Sequence, residues 1–390
     1  MHKSAAKLLK SLHICKKNTI FAAFFNTYDN EKVIIGIFLG AVTALSAVAQ
    51  QLPNNHFESW PETYNGDMQP ASWHGSNVSQ VGLKFTFLYQ KPGRNGGYSM
   101  YVADRSVGAL GITEVGPGYV TLGQPWQYLK GLSVKSATAG TEGGIAWKYR
   151  PDTMSVWIKR TGDHTADEDF HLLYYSWQGT AKSGQYKNKV EKCTSTERIN
   201  EESDIRQATD GNECGTDQPV KQVAEGWYRA RAKYSTWTRI KVPIFYMNDG
   251  RPTMCNVIFS AGNYPAFRAN NGLYAGNAIY VDDVELIYSS RIDRLTIDNI
   301  VWSEFNPDSE AVQIYRIDKK DTRSDFTFAG FRGVGSLTNI KGQTAQFKGR
   351  KLDKQEMSVV PGQVNGKPWE ITVKAEDGSS THTYKIKVVR

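Results

Sequence analysis

Short apolar segments separated by Gly, Pro, Asn and Asp turns dominate this 390-residue chain. The clearest are 81–89 (VGLKFTFLY), 98–103 (YSMYVA), 154–159 (MSVWIK), 170–177 (FHLLYYSW), 237–242 (WTRIKV) and 257–261 (VIFSA). Residues two apart share one face of a strand, so such alternation is typical of strands rather than helices. Many short strands with frequent turns predict an all-β protein, a β-sandwich or barrel, with the jelly roll the favoured form.

The length allows two domains, each with its own core. We place a boundary near Ser289-Ser290, which gives a jelly roll over 50–290 and a domain of about 100 residues over 291–390, the size of a small sandwich. The chain ends in two alternating segments around Asp377-Gly378, a hairpin signal. This ending resembles the closing hairpin of the immunoglobulin-like sandwiches found beside Bacteroidetes glycan-handling proteins. The resemblance implies a spacer role for residues 291–390.

The apolar run 33–49 (VIIGIFLGAVTALSAVA) ends in small residues at the positions that a signal peptidase prefers. We predict cleavage after Ala49 and export to the periplasm, the cell surface or the medium. The 32 residues before the run are unusual for a signal peptide, so we expect the true start to lie downstream of Met1. An uncleaved membrane anchor is the alternative, but the run is short for that. Cys15 precedes the run and no Cys directly follows it, which argues against a lipoprotein anchor.

The formal charge of +8 is due in part to this leader. Without residues 1–49 the chain has 41 basic and 37 acidic residues. This small excess of positive charge, with no basic cluster interleaved with aromatic residues, does not indicate nucleic-acid binding.

Residues 178–226 are polar and contain few apolar side chains. We predict a solvated insertion between two strands, with a lid over a binding face as the alternative. Cys193 and Cys214 flank a polar loop and are able to form a disulfide after export, whereas Cys255 lies in an apolar run and is expected to be a buried free thiol. No Cys pair has the C-x-x-C spacing of a zinc site.

Two adjacent carboxylates, Asp282 and Asp283, interrupt an otherwise apolar strand over residues 277–288. The even-numbered face also carries Tyr280, Val284 and Leu286, so by alternation Asp282 lies on a core face. A carboxylate there must be paired, hydrogen-bonded or bound to a metal. Two interpretations remain open: a calcium ligand, and a carboxylate that caps backbone amides at a sheet edge.

A Phe57-Glu58 opening followed about two hundred residues later by Val-Asp-Asp-Val resembles the jelly-roll carbohydrate-binding modules. Three further segments point to one family among these modules: residues 242–246 (VPIFY), residues 256–262 (NVIFSAG) and Gly276-Asn277 before the last strand. Over about residues 52–290 the chain is similar to the Bacteroidetes domain provisionally assigned to carbohydrate metabolism. Where that family has Ser-Ser-Lys-Tyr-Gly-Asp, this chain has Ser-Ala-Gly-Asn-Tyr-Pro at 260–265, so no role of that loop is carried over.

The resemblance implies that the first and last strands of the jelly roll meet and share a structural calcium. It carries Glu58 and Asp282 across as ligands, with Asp283 as the neighbour able to serve instead. Asn55 and backbone carbonyls are candidates to complete the shell. Such a site would stabilise the fold rather than catalyse a reaction.

Aromatic side chains bind sugars because a ring face packs on the C–H face of a pyranose while polar groups fix the hydroxyls. Trp157 alternates with Val156 and Ile158, so it faces outward if those two face the core. Tyr175, Trp177 and the loop residue Trp126 are further candidates. The alternative for each is a place in the core.

The densest group of titratable residues is His164, Asp167, Glu168, Asp169 and His171. Paired carboxylates act in glycoside hydrolysis, and convergent His and carboxylate groups bind metals. We predict instead a solvated turn between two strands. No hydrolase, zinc-protease, phosphate-loop or dinucleotide motif is present.

We therefore predict an exported, non-catalytic protein that binds a polysaccharide or oligosaccharide. A glycoside-active enzyme with a carboxylate pair that sequence does not reveal is the first alternative. A structural or adhesion component of the cell envelope is the second.

Overall fold

The computed structural model describes residues 50–63, 66–80, 83–109, 112–129, 137–179, 221–263, 273–338, 342 and 344–390. For residues 78–80, 83, 109, 112, 126–129, 137–140 and 142 it describes the backbone alone. The predicted leader, Cys193 and Cys214 lie outside these residues. Within them every regular element is a strand, and no helix has the length and apolarity needed to cross a membrane.

Eighteen strands precede residue 290. They are β1 (His74–Gly75), β2 (Val78–Gln80), β3 (Leu83–Phe85), β4 (Leu88–Pro92), β5 (Tyr98–Ala103), β6 (Arg105–Ala109), β7 (Ile112–Gly116), β8 (Tyr119–Thr121), β9 (Gln124–Leu129), β10 (Ala137–Glu142), β11 (Ile145–Ala146), β12 (Thr153–Thr161), β13 (Phe170–Gln178), β14 (Lys221–Ala230), β15 (Tyr234–Pro243), β16 (Phe245–Tyr246), β17 (Met254–Ser260) and β18 (Ala278–Ile287).

These strands form two main antiparallel sheets. The seven-stranded sheet has the order β1-β8-β17-β13-β14-β16, with β11 also paired to β17. The five-stranded sheet has the order β15-β12-β18-β5-β4, and β2-β3, β6-β7 and β9-β10 are separate hairpins. Strands distant in sequence lie side by side, as the crossovers of a jelly roll require. The predicted all-β sandwich is confirmed.

The main core lies between the two sheets. Met154, Val156 and Ile158 enter it from β12, and Leu172 and Tyr174 enter it from β13, all five fully buried. Each large apolar side chain removed from water contributes about 1.5–3 kcal/mol to stability. Because these even-numbered residues of β12 face the core, its odd-numbered residues lie on the outer face of the sheet.

Two sequence expectations need correction here. The segment 81–89 is not one strand, because β3 ends at Phe85 and β4 begins at Leu88. The polar insertion does not extend to residue 226, because 221–226 belong to β14 and five of those six residues are buried. Residues 180–220 lie outside the described part. Cys255 is a buried free thiol, as predicted.

Eight strands follow residue 290 and form a second, smaller sandwich. They are β19 (Arg294–Ile297), β20 (Ile300–Val301), β21 (Gln313–Arg316), β22 (Phe328–Thr338), β23 (Thr344–Lys351), β24 (Met357–Val360), β25 (Trp369–Lys374) and β26 (Thr381–Val389). One sheet has the order β20-β19-β22-β23 and the other β21-β26-β25-β24, in which β21 runs parallel to β26. Trp369, Ile371, Val373 and Tyr384 fill the core between them. The hairpin around Asp377-Gly378 is the β25–β26 pair.

The start of the described chain packs along β18. The Gln51 side chain donates to the Leu286 carbonyl at 2.9 Å and accepts from the Leu286 amide at 2.7 Å. The Val284 amide donates to the Asn55 carbonyl at 2.9 Å. Residues 54–60 form a turn and an irregular segment rather than a strand. The opening segment nevertheless meets β18, the last strand of the first sandwich.

Candidate functional site

A β-bulge in β18 determines which side chains leave the core. Ser155 of β12 lies opposite Glu285, but Trp157 lies opposite Asp282, so one residue of β12 spans two of β18. The extra residue is accommodated at Asp283, whose φ is 45°. Aspartate tolerates this left-handed conformation better than most residues, and a bulge of this kind re-aims the side chains beside it.

The bulge overturns the prediction that Asp282 lies on the core face. Ile279 and Val281 face the core before the bulge, and Val284 and Leu286 face it afterwards. The core-facing residues are therefore odd-numbered before the two aspartates and even-numbered after them. Asp282 shares the opposite face with the preceding even-numbered residues of β18, and the ring of Tyr280 belongs to that outer face too.

An aromatic ladder crosses the outer face of the five-stranded sheet. We use this name for Tyr89, Tyr101, Tyr280 and Trp237. Tyr89 is directly opposite Tyr101, and Tyr101 is opposite Tyr280. All four side chains are half-buried, and all lie on the face opposite the core. The ladder thus reaches from the edge strand β4, through β5 and β18, to the other edge strand β15.

The ladder rings contact one another at an angle. The ring centroids are 6.0 Å apart for Tyr89 and Tyr101, 4.8 Å for Tyr101 and Tyr280, and 6.3 Å for Tyr280 and Trp237. The interplanar angles of 59°, 68° and 79° are those of tilted and edge-to-face pairs, which aromatic quadrupoles favour. Burial and the neighbouring Tyr280 raise the pKa of Tyr101 above its ordinary value. The Tyr101 ring therefore remains a neutral phenol at ordinary pH, and the ladder as a whole offers apolar ring surface beside tyrosine hydroxyl groups.

Trp157 lies on the same face as the ladder, beside the bulge. Val156 and Ile158 are fully buried in the core, so the alternation placed the Trp157 ring outward as argued from the sequence. The Arg94 guanidinium lies over this ring, 4.2 Å from its centroid. Trp157 is thus at one margin of the ladder face.

The other predicted sugar contacts lie elsewhere. Tyr175 and Trp177 are fully buried, stack on each other at 5.6 Å, and pack with Leu173 and Ile258 on the far side of the seven-stranded sheet. With no exposed ring face, these two residues are unsuited to stack on a sugar, which corrects the prediction. The backbone of Trp126 lies in β9, opposite Gly140, and its side chain is outside the described part.

The three predicted calcium ligands occupy one region but play different parts. Asp282 accepts the Arg94 amide at 2.8 Å with Oδ2 and the Asp283 amide at 2.8 Å with Oδ1, which matches the capping interpretation. Asp283 instead forms an ion pair with Arg94 at 2.5 Å and a hydrogen bond with the His56 ring at 2.7 Å. Burial alone would raise the pKa of Asp283, but the His56 and Arg94 hydrogen bonds outweigh it and lower that pKa. Asp283 is therefore poorly placed to bind a cation.

Oxygen atoms converge beside Gly93, in the loop between β4 and β5. The position that a Cβ on Gly93 would occupy is 2.7 Å from the Gly96 carbonyl, 2.9 Å from the Tyr98 carbonyl and 3.0 Å from Asp282 Oδ2. Glu58 accepts the Tyr98 amide at 3.2 Å close by. The described residues include no group of three or more His, Cys, Asp and Glu side chains suited to a metal. One or two carboxylates with backbone carbonyls still make the all-oxygen donor set that calcium prefers.

The titratable cluster near residue 168 is not a solvated turn throughout. His164 and Asp167 are exposed and bond to each other at 3.1 Å, as predicted for a turn. Glu168 and His171 are fully buried, which corrects the prediction for them. Glu168 accepts from the Asn277 side chain at 2.5 Å and the Asn263 amide at 3.1 Å, and burial lowers the pKa of His171 to about 4.

Sequence reasoning missed the partner of Glu168. Asp104, directly after β5, is fully buried, and its Oδ1 accepts the Gly118 amide at 2.7 Å. Asp104 Oδ2 and Glu168 Oε1 lie 2.1 and 2.0 Å from the position that a Cβ on Gly262 would occupy, so the two oxygens face each other. Burial, then the negative charge of Glu168, raises the pKa of Asp104 well above its ordinary value. This carboxylate pair lies inside the molecule, away from any ligand that binds on the surface.

No family model and no curated protein matches the chain. Similar solved structures include a protein provisionally described as a glycoside hydrolase from Bacteroides thetaiotaomicron, at 15% identity over 62% of this chain and 73% of that one, with a TM-score of 0.38. Another is the K1 cleaved adhesin domain of Lys-gingipain from Porphyromonas gingivalis (14%, 59% and 94%, TM-score 0.24). A third is the family 11 carbohydrate-binding module from Clostridium thermocellum in complex with a mixed-linked tetrasaccharide (12%, 58% and 94%, TM-score 0.22). Similarity at this level assigns neither a family nor an activity to this chain.

Proposed function

We propose that the protein is a non-catalytic glycan-binding protein that takes a saccharide along the aromatic ladder. The observation that carries the proposal is the row of four half-buried rings across the face opposite the core. Such rings offer apolar surface to sugar C–H groups, and the tyrosine hydroxyls offer hydrogen bonds. Export through the predicted signal peptide would bring this face into contact with extracellular or periplasmic glycans.

Burial of the Asp104–Glu168 pair supports binding over hydrolysis. A glycosidase needs an acid and a second carboxylate on either side of the scissile bond. These two carboxylates are both within 1% of complete burial, so a polymer on the ladder would not reach them. The enzyme alternative would require a different carboxylate pair.

Binding and hydrolysis are separated by one screen of the purified protein. We expect retention on at least one immobilised polysaccharide with no release of reducing sugar. Tyr280→Ala is expected to weaken that binding by about 30-fold, since the central ring of a binding face is worth about 2 kcal/mol. Tyr98→Ala is the matched control, because Tyr98 is an exposed tyrosine of β5 outside the ladder. Sugar release would support the enzyme, and equal binding by both variants would exclude the ladder.

We further propose a structural calcium held by Glu58, Asp282 and the carbonyls of Gly96 and Tyr98. The ion would supply positive charge where burial, Asp283 and Glu58 raise the pKa of Asp282. It would also tie the opening segment to the β4–β5 loop and to β18.

Calcium binding predicts a thermal midpoint that falls when a chelator is added and returns with excess calcium. Ligand binding stabilises a fold by about 2.7 kcal/mol at a hundredfold excess over Kd. Asp282→Asn should abolish the response to chelator, whereas Asp163→Asn, at an exposed turn, should preserve it. A wild-type midpoint that ignores both chelator and calcium would rule the site out.

A further inference from the structure

Cations lie over the ring faces of the aromatic ladder. Lys159 Nζ is 3.9 Å from the centroid of the Tyr280 ring and 5.5 Å from that of Trp237. The Arg105 guanidinium is 5.0 Å from the Tyr89 ring, and Lys91 Nζ is 5.8 Å from the Tyr101 ring. Each ladder ring therefore has a positive group beside it.

These cations have no carboxylate partners in the described part of the chain. Lys91, Arg105 and Lys159 form no ion pair with the described residues, and they lie on different strands of one surface. Two other arginines near the same face are neutralised, since Arg94 pairs with Asp283 at 2.5 Å and Arg239 pairs with Glu285 at 2.9 Å. Lys91, Arg105 and Lys159 therefore place positive charge, unpaired within the described residues, directly beside the ladder rings.

Ring contacts alone hold these cations weakly. A cation–π contact at an exposed site is weaker than a charge-assisted hydrogen bond to an anion. A neutral sugar that packs on a ring must push the cation aside. A sugar bearing a carboxylate or sulfate packs its C–H face on the ring and accepts hydrogen bonds from the same cation, so both contacts are kept.

We propose, on the basis of the function proposed above, that the ladder selects an anionic polysaccharide, with Lys159, Lys91 and Arg105 binding its carboxylate or sulfate groups. Lys159 is central because it lies between Tyr280 and Trp237. The rings position the chain of sugars, and the cations discriminate charged from neutral residues.

The test compares polymers that share a backbone but differ in charge. One pair is polygalacturonate and its fully methyl-esterified form, and the other is chondroitin sulfate and desulfated chondroitin. We expect at least one anionic member to bind tenfold or more tightly than its neutral or less charged counterpart, with an affinity that falls as salt rises. The pair that responds identifies carboxylate or sulfate as the ligand group.

Two lysine variants make the test specific. Lys159→Met keeps the length of the side chain without its charge and should reduce the charged-to-neutral preference about tenfold. Lys148→Met is the matched control, because Lys148 lies 5.4 Å from the Tyr149 ring outside the ladder, and it should leave the preference unchanged. Equal binding of charged and neutral members, with a Tyr280→Ala loss in both, would overturn the charge proposal and leave the glycan-binding function standing.

A nucleic-acid control completes the design. Double-stranded DNA is a polyanion without a pyranose face, so the proposal expects it to bind more weakly than the preferred glycan. DNA binding of equal strength that Tyr280→Ala does not change would show that charge alone is responsible, and would overturn the inference. Failure to retain any polysaccharide would instead remove the proposed function itself.

Discussion

Glu356→Ala is expected to lower the free energy of unfolding by about 3–5 kcal/mol, because it removes the anion at the centre of a buried charge network. Glu356 is 3% exposed and accepts hydrogen bonds from Arg350 at 2.8 and 2.9 Å and from Arg150 at 3.0 Å. Arg332 approaches it at 3.4 Å. The alanine variant would leave three buried guanidinium groups short of a counter-charge.

The network joins the two sandwiches. Arg150 precedes β12 in the first sandwich, and it also pairs with Glu376 of the second at 2.9 Å. Burial would raise the pKa of Glu356, but the hydrogen bonds and charges of Arg350, Arg150 and Arg332 hold it below its ordinary value. The carboxylate is therefore ionised in the folded state down to acid pH. The stability it contributes is present above the unfolded pKa and is lost as pH falls through the folded one.

Denaturant unfolding at neutral pH measures this prediction, with Glu310→Ala as the matched control. Glu310 forms a similar pair with Arg291 at 2.7 Å, but it is 72% exposed, so its removal should cost under about 1 kcal/mol. A loss below about 1 kcal/mol for Glu356→Ala would mean that the network does not hold the two sandwiches together. The network also predicts one cooperative transition for both sandwiches, so residues 291–390 would act as a rigid extension rather than a flexible spacer.

Alternation of apolar and polar residues predicted a strand or the direction of a side chain well where the residues on either side of a position are apolar. The segment 98–103 was predicted as a strand and is β5, and the outward position of Trp157 followed from Val156 and Ile158. Alternation could not reveal the bulge at Asp283, since one inserted residue changes the parity of every position beyond it. For that reason Tyr280 was assigned to the core face and the ladder was missed.

Local sequence also does not show whether the second face of a strand is covered by other parts of the fold. Tyr175 and Trp177 do share one face of β13, but that strand is central in its sheet, and its other face is covered as well. The high density of charged residues around Glu168 likewise predicted a solvated turn, although Glu168 is buried. Its partners Asp104 and Asn277 come from segments 64 and 109 residues away, and only the fold brings them together.

The Asp104–Glu168 pair leads to the second large prediction, an increase in stability from Asp104→Asn at alkaline pH. In the wild type, Asp104 Oδ2 has no hydrogen-bond donor within the described residues, although it is fully buried. At low pH a proton on Asp104 is able to bridge to Glu168. At pH 8 either the Asp104 and Glu168 carboxylates face each other with both charges present, or one of them keeps its proton, and both situations lower the stability of the fold.

The direction of the pH dependence follows from the raised pKa of Asp104. An acid whose folded pKa exceeds its unfolded value contributes stability below the unfolded pKa and loses that contribution as pH rises through the folded pKa. Asparagine keeps an oxygen for the Gly118 amide and adds an N–H toward Glu168, at any pH. We therefore expect the variant to exceed the wild type by about 1–3 kcal/mol at pH 8, the cost of an unsatisfied buried acceptor, and to show a smaller advantage at pH 5.

Glu168→Gln is the matched control with the opposite expected sign. Both Glu168 oxygens already accept N–H groups, from the Asn263 amide and from the Asn277 side chain and Tyr274 amide. A glutamine would turn its own N–H₂ group toward one of those donors, so it should destabilise the fold at every pH. Thermal melts of both variants between pH 5 and 8 decide the matter. A gain for Asp104→Asn together with a loss for Glu168→Gln would place the shared proton on Asp104. If Asp104→Asn is no more stable than the wild type at pH 8, the prediction is wrong.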